Sequence, residues 1–331
     1  MKIGLLMLIL TTDDLKQILH MKDVMNEVRE AFLELAEVGA KSPKRTILEI
    51  PKFNGTMLFM PAYLQKMGSL TLKIVGFYPN NISKGLDTIS SVLCYIDPES
   101  GVPLAIMDGK YVTAMRTAAM TALATDYLAR KDIDSIGVVG AGVQAEYQLK
   151  GVLEVRSAKR VYVYDALVDK GRRFAEKVKR GIELTAETLD SANDVASRSD
   201  ILIVATTSTQ PVFDGERLSK GVYIASIGWV GPEGRELDTT TVKRSKVVVD
   251  TLEGALSESG DIIIPIKEGA IDEKHIWCEL KDLISGSKKG RESAEEITLW
   301  KSVGVGVADA AAAKLAYNKA QEKKIGQSIK I

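Results

Sequence analysis

The run Ser135-Ile136-Gly137-Val138-Val139-Gly140-Ala141-Gly142-Val143-Gln144-Ala145 constrains this chain more than any other segment. It is an apolar stretch leading into G-x-G-x-x-A. Gly140 permits a tight turn out of a strand, Gly142 lets the backbone come close to a pyrophosphate, and Ala145 is small enough for the next helix to lie against a sheet. That helix, opening at Val143 and Gln144, would turn its free N–H groups and positive dipole end toward the phosphates. A glycine turn in an ordinary βα unit is the alternative. The context favours the nucleotide: the next apolar run, Arg160-Val161-Tyr162-Val163-Tyr164, ends at Asp165, 20 residues after Ala145. An acidic residue there suits the two ribose hydroxyls of NAD and repels the 2′-phosphate of NADP.

From residue 135 onward the pattern alternates. Strands are expected at 135–139, 160–164, near 182, 200–205, 221–227 and 245–249, with helices at 143–156, 168–180 and 190–197; this is the rhythm of a doubly wound parallel sheet. The upstream part reads differently. Residues 13–40 carry Leu15, Ile18, Leu19, Val24, Val28, Ala31, Phe32 and Leu35 at helical spacing. Strands at 45–50, 56–60, 70–77 and 89–96 are separated by Pro51, Asn54-Gly55, Pro61 and Pro79-Asn80-Asn81. Pro98–Gly101 is a turn into a strand at 102–107, and a helix covers 110–129. Strands in succession imply an antiparallel or mixed sheet. Ser302 to Lys324 is an Ala-rich helix. The expected fold class is α/β: a Rossmann-type doubly wound sheet (residues 126–301) plus a smaller α+β domain (residues 1–125 and 302–331) completed by the C-terminal helix, with a cleft between them.

A length of 331 residues fits two domains. Lys+Arg and Asp+Glu both number 44, so nothing in the net charge recruits nucleic acid or an anionic membrane. Cys94 and Cys278 are either a disulfide or two thiols, and a cytosolic setting favours thiols. Two histidines, His20 and His275, argue against a His-rich metal site or a His-centred hydrolase, and no metal is expected. Met1 to Leu10 resembles a short signal-peptide core, but Thr11-Thr12-Asp13-Asp14 follows without a small-residue cleavage pattern. The run is too short to span a bilayer. It reads as a first strand feeding a helix capped by Thr11 or Thr12, and the protein is expected to be cytoplasmic.

Several side chains are candidates for chemistry. Lys73, in Thr71-Leu72-Lys73-Ile74-Val75, alternates away from its apolar neighbours. It either binds a carboxylate or works as an acid/base in a closed site, or it lies on a solvated sheet face. Arg116 is a lone cation among small and apolar residues; its partner is a ligand carboxylate held by the planar guanidinium or an internal salt bridge. Thr117 beside it suits a cofactor phosphate. Arg45 offers a second arginine for the same carboxylate or a surface cation, and Ser91 a hydrogen bond to the ligand or a locally satisfied hydroxyl. Thr206, Ser226 and Gly228 end strands of the parallel sheet, where they border a nucleotide or merely cap turns. Asp309 interrupts the tail helix as a site acid, or else faces water or a nearby cation.

Together these residues resemble the ornithine cyclodeaminase/mu-crystallin family, which includes archaeal alanine dehydrogenases. The resemblance runs nearly full length, through Met60-Pro61-Ala62-Tyr63, Lys73-Ile74-Val75, Pro103–Gly109, Arg116-Thr117-Ala118-Ala119, Gly140–Ala145, Gly290-Arg291-Glu292-Ser293 and Lys301-Ser302-Val303-Gly304. It implies a homodimer whose first domain binds substrate and dimerises. It implies NAD, with NADP as the alternative, at Gly140–Ala145. It implies Arg45, Lys73, Ser91 and Arg116 at the substrate carboxylate and Thr117 at a phosphate. It implies an oxidoreductase of the C–N bond in a small amino or imino acid, like alanine dehydrogenase or a ketimine/pyrroline-2-carboxylate reductase. Ornithine cyclodeamination and a non-catalytic NAD(P)H-binding dimer are the alternatives. One departure stands out. Cyclodeaminases and alanine dehydrogenases of the family carry an aspartate soon after the strand ending in Ile-Gly, and here Val230 holds that position, with Glu233 nearby. Valine cannot accept an amine proton, which weakens cyclodeamination and alanine oxidation.

Overall fold

The computed structural model describes residues 6–37, 39–181 and 184–330. The first five residues of the N-terminal run and the strand position near 182 lie outside the described residues. The chain forms two compact units, Met1–Ala119 with Val305–Ile331, and Met120–Gly304.

In the first unit β1 (Leu6–Leu10) leads into α1 (Thr12–Ile18). The Thr11 hydroxyl accepts the Asp14 N–H while the Asp14 carboxylate accepts the Thr11 N–H, a reciprocal cap that satisfies two orphan donors. The helical spacing read over 13–40 is carried by two helices, α1 and then α2 (Met21–Ala36), with Leu19 extended between them. The break leaves both Leu19 and Met21 buried. Then come β2 (Ala40–Lys41), β3 (Thr46–Ile50), β4 (Gly55–Leu64), β5 (Ser69–Phe77), β6 (Ile89–Ile96), β7 (Pro103–Asp108) and α3 (Gly109–Leu128), whose last residues enter the second unit. β4 runs straight through Pro61, which the sequence marked as a break. On one side β4 pairs with β3 over residues 55–59 and with β2 over 63–64, so Pro61 falls in the gap between them. A missing N–H there removes no ladder bond on that side.

The second unit contains β8 (Ser135–Val139), α4 (Val143–Leu153), β9 (Arg160–Tyr164), α5 (Val168–Gly181), β10 (Thr185–Thr188), α6 (Ala192–Arg198), β11 (Ile201–Val204), β12 (Tyr223–Ser226), α7 (Thr239–Arg244), β13 (Ser245–Val249), α8 (Leu252–Glu258), α9 (Gly260–Lys267), β14 (Ile276–Glu279), α10 (Leu280–Ile284) and β15 (Ile297–Lys301). The eight strands are all parallel, in the order β10-β9-β8-β11-β12-β15-β13-β14. Every residue of β8, β11, β12 and β15 is buried, as helices on both faces demand. The chain moves outward from β8 to β9 and β10, then restarts at β11 on the other side of β8. The carboxyl ends of β8 and β11 therefore flank a topological switch point, the place where such sheets bind ligands. The sequence reading gave no element between 250 and 301. Yet Ile297-Thr298-Leu299-Trp300 is a β-branched and aromatic run, and it becomes β15, the strand between β12 and β13.

The chain returns to the first unit with α11 (Gly306–Lys323) and β16 (Gln327–Lys330). α11 starts four residues later than the expected Ser302 because Asp250 holds the preceding segment: its Oδ2 accepts the Ser302 hydroxyl at 2.9 Å and the N–H groups of Val303 and Gly304 at 2.9 and 2.6 Å. α11 packs on α2, β4 and β5. Its alanines let it come close; a Cβ on Gly306 would lie 3.0 Å from the Ala62 Cβ. The sheet of this unit runs β16-β1-β7-β6-β5-β4-β2, with β3 on β4. It is mixed, antiparallel except where β1 meets β7.

Candidate functional site

In the first unit, β5, α3 and α11 bring three charged side chains together. Lys73, on β5, is 2 % exposed, and its Nζ lies 2.6 Å from Oδ2 of Asp309 on α11. Arg116 on α3 donates from Nε to the other oxygen of Asp309 at 2.9 Å. Thr113, one turn before Thr117, stands 3.5 Å from the Lys73 Nζ. The solvated-face reading of Lys73 is thereby excluded, Arg116 makes the internal salt bridge, and Asp309 pairs with cations. Burial lowers the Lys73 pKa to about 8; Asp309 opposes that shift, while Arg116 and Arg45 add to it. The charged ammonium is thus disfavoured by about 3 kcal/mol relative to water. Burial pushes Asp309 upward, but Arg116 and Lys73 together hold it below the usual carboxylate range.

Arg45, half-buried just before β3, is near enough to act on Lys73. Ser91 on β6 lies opposite Val75, as Leu93 lies opposite Lys73, so Ser91 and Lys73 share a face of the sheet. The Ser91 Oγ is buried and has no hydrogen-bond partner among the described residues. It presses on Gly109, where an added Cβ would sit 2.3 Å away. The Thr117 hydroxyl donates to the Thr113 carbonyl at 2.7 Å.

In the second unit, Gly140 has φ +91°, and a Cβ there would lie 2.6 Å from the Ala205 carbonyl oxygen. Gly142 is the N-cap of α4 and contributes no side-chain cap. A Cβ on Gly142 would meet only the Lys170 Nζ at 3.9 Å, so the surface over this turn is open. Val143 stands exposed at the first helical position, the Gln144 Oε1 accepts from Gln148 at 3.2 Å, and Ala145 is buried. The Asp165 carboxylate accepts the N–H groups of Ala141 at 2.7 Å and Leu167 at 2.9 Å, with the Lys170 Nζ 3.5 Å away. Thr206 and Gly228 are side by side: a Cβ on Gly228 would lie 2.4 Å from the Thr206 N and O. Ser226 takes a hydrogen bond from Lys301 at 3.3 Å. An uncapped helix N-terminus, open space above Gly142 and a carboxylate at the end of β9 fit a dinucleotide.

The sequence reading missed Glu236 and Asp261, and it met Lys301 only as part of a motif. All three are buried. A charged residue in an irregular segment reads as surface, and nothing local in Gly234-Arg235-Glu236-Leu237 says otherwise. Val230 and Glu233 are both exposed. The two cysteines are free thiols. Among the described residues no group of three or more His, Cys, Asp or Glu is placed to hold a metal ion, and no helix is long and apolar enough to cross a membrane.

A sequence model described as the ornithine cyclodeaminase/mu-crystallin family matches residues 7–324. The chain belongs to that family. A Δ1-pyrroline-2-carboxylate reductase of Bacillus cereus (strain ZK / E33L) is 35 % identical over 324 residues, covering 98 % of this chain and 99 % of the relative. Among solved structures, Thermococcus litoralis Δ1-pyrroline-2-carboxylate reductase in complex with NADH and L-proline superposes with a TM-score of 0.95 at 49 % identity, covering 98 % of this chain and all of the other. An archaeal alanine dehydrogenase dimer with bound NAD superposes with a TM-score of 0.93 at 36 % identity, covering 99 % and 100 %. Each of these three relatives is matched along nearly its whole length by nearly the whole of this chain.

Proposed function

We propose that this chain, an NAD(P)-dependent oxidoreductase of the C–N bond in small amino or imino acids, reduces the cyclic imine Δ1-pyrroline-2-carboxylate to proline. The observation that carries this reading is the buried Lys73–Asp309–Arg116 cluster, with Lys73 near pKa 8. The similarity to the Thermococcus litoralis enzyme crystallised with NADH and L-proline supports the choice of substrate and cofactor.

The residues divide the work. Gly140, Gly142, Val143, Gln144 and Ala145 form the turn and helix start that would take the pyrophosphate, with Thr117 as a further phosphate donor. Asp165 would take the adenine ribose, and Thr206, Ser226 and Gly228 would border the nicotinamide end. When bound, the reduced dinucleotide supplies a hydride for the carbon next to the carboxylate. Arg116 and Arg45 neutralise that carboxylate, and Ser91 donates a hydrogen bond to it. Lys73 gives a proton to the imine nitrogen. A lysine near pKa 8 is charged at neutral pH yet gives up its proton far more readily than one at 10.5. Asp309 stays ionised and holds both cations in place.

Val230 narrows the field. A valine at this position cannot receive a proton from a free amine, so the imine substrate, which brings no free amine, suits this chain better than ornithine or alanine. A homodimer in the cytoplasm belongs to the same reading. The first unit exposes Ile47, Leu48, Phe53, Phe77 and Ile89, an apolar set suited to burial against a second copy.

The test follows absorbance of NADH or NADPH with purified protein and Δ1-pyrroline-2-carboxylate, other cyclic imines, or pyruvate plus ammonia. Turnover fastest with the five-membered imine supports the proposal. Tight NADH binding without turnover across the panel would replace it with a non-catalytic dimer.

A further inference from the structure

Three charged side chains that the reaction above does not use are packed together at the carboxyl ends of β11, β12 and β15. Glu236, Asp261 and Lys301 are each fully buried. The Glu236 Oε1 accepts both the N–H and the hydroxyl of Thr206 at 2.7 Å, and its Oε2 accepts the Trp229 N–H at 2.7 Å. Lys301 donates to the Trp229 carbonyl at 3.1 Å, so this residue is gripped at both its N–H and its C=O. Asp261 closes the ring. Its Oδ1 accepts the Glu236 and Leu237 N–H groups at 2.7 and 2.8 Å, and its Oδ2 pairs with Lys301 at 2.7 Å.

Burying three ionisable side chains is an expensive way to hold loops, because the desolvation of each must be matched by geometry, and burial pushes the Glu236 carboxyl above the ordinary carboxylate range. Well-packed apolar groups would stabilise as well. What the charges supply is direction: each backbone group in the ring has one place to point. The carboxylate also fits only because position 228 is glycine, since a Cβ there would sit 2.3 Å from the Glu236 Oε1. The segments so fixed are Thr206, beside the switch point, and Ser226 to Trp229, directly before Val230.

We propose that Glu236 is a positioning residue: with Asp261 and Lys301 it fixes Thr206 and Trp229 before the dinucleotide arrives, so that the nicotinamide end meets a preformed wall. Preorganisation lowers the ordering cost of binding and thereby raises affinity. This rests on the cofactor assignment given above.

Glu236→Gln tests it. The variant keeps the volume but exchanges one acceptor oxygen for an NH2 that must face either Trp229 N–H or the Thr206 donors. On protein shown to be folded by circular dichroism, the NADH dissociation constant should rise about tenfold or more. The KM for the imine at saturating NADH should stay within about twofold. A melting temperature that falls while the NADH constant is unchanged makes the ring purely structural and overturns the proposal. If the variant does not fold, hydrogen exchange on the wild-type protein without NADH decides. The Thr206 and Trp229 amides should be protected as strongly as the interior of β11 and β12, and rapid exchange at either overturns it. Wild-type protein that binds no NADH overturns the cofactor assignment and this proposal with it, whereas normal wild-type binding with an indifferent Gln variant overturns this proposal alone.

Discussion

Lys73 and Asp309 are separated by 236 positions in the chain, yet their charged atoms lie 2.6 Å apart. Among the charges that act on Lys73, Asp309 is the anion, while Arg116 and Arg45 are cations. A buried site of that make-up is suited to a ligand that brings its own negative charge.

Replacing Lys73 with Ala should lower kcat by a factor on the order of 10² to 10⁴, the range for a lost proton donor. NADH affinity should be unchanged, because the role proposed for Lys73 lies in the imine half of the reaction. Stopped-flow turnover and NADH titration separate the two. A variant as active as the wild type removes Lys73 from the chemistry.

The same lysine sets a pH dependence. Its folded pKa of about 8 lies below the ordinary 10.5. Below about 8 it is protonated and can donate, and above that it has lost the proton. Imine reduction should therefore fall as pH rises through this region, and proline oxidation, which needs the free base, should rise. A pH profile of both directions checks the sign; identical limbs for the two would contradict the assignment.

Asp309→Asn leaves two buried cations without their carboxylate. Breaking a buried pair in this way costs about 3–5 kcal/mol, readable as a drop in the urea midpoint. With the charge that favours the ammonium gone, the Lys73 pKa should move further down, carrying the alkaline limb of reduction to lower pH. A limb that stays in place would show that another group controls it.

The two glycines of the phosphate turn should respond differently. Gly140→Ala combines a φ of +91° with a collision against the Ala205 carbonyl, so it should destabilise the protein by a few kcal/mol. Gly142→Ala meets open space, so its melting temperature should hold while NADH binding weakens. Calorimetry with and without NADH distinguishes them, and equal stability losses would refute the idea that Gly142 is reserved for a ligand.

Asp165→Ser should move preference toward NADPH by removing the carboxylate proposed to meet the ribose. The ratio of kcat/KM for the two cofactors is the measurement. An unmoved ratio would mean that the ribose does not meet Asp165, whose oxygens already accept from Ala141 and Leu167.

The dinucleotide half was legible because its signals are local. Ser135 to Ala145 names a strand, a turn and a helix start within one short segment, and Asp165 follows at the end of the next strand. Lys73 and Arg116 were legible as unusual residues, but not as partners: the carboxylate that joins them arrives on α11, and no periodicity connects positions so far apart. Asp309 read as a site acid or as a residue facing water or a nearby cation, with nothing to name Lys73 and Arg116 as those cations. Glu236, Asp261 and Lys301 were less visible still, because a buried salt bridge from the first turn of α9 to the last residue of β15 leaves no pattern in the residues on either side. Pro61 misled for a related reason. Proline breaks a strand only where its N–H is needed, and here the neighbouring strands leave a gap.

The second unit is one continuous stretch, whereas the first is assembled from an early part of the chain and from α11 and β16. A ribosome therefore delivers the whole nucleotide fold before it delivers Asp309. Until residue 309 emerges, Lys73 and Arg116 have no anion from α11 to gather around. Synthesis thus imposes a sequence on maturation: the parallel sheet of the second unit is complete before the charge cluster of the first can close.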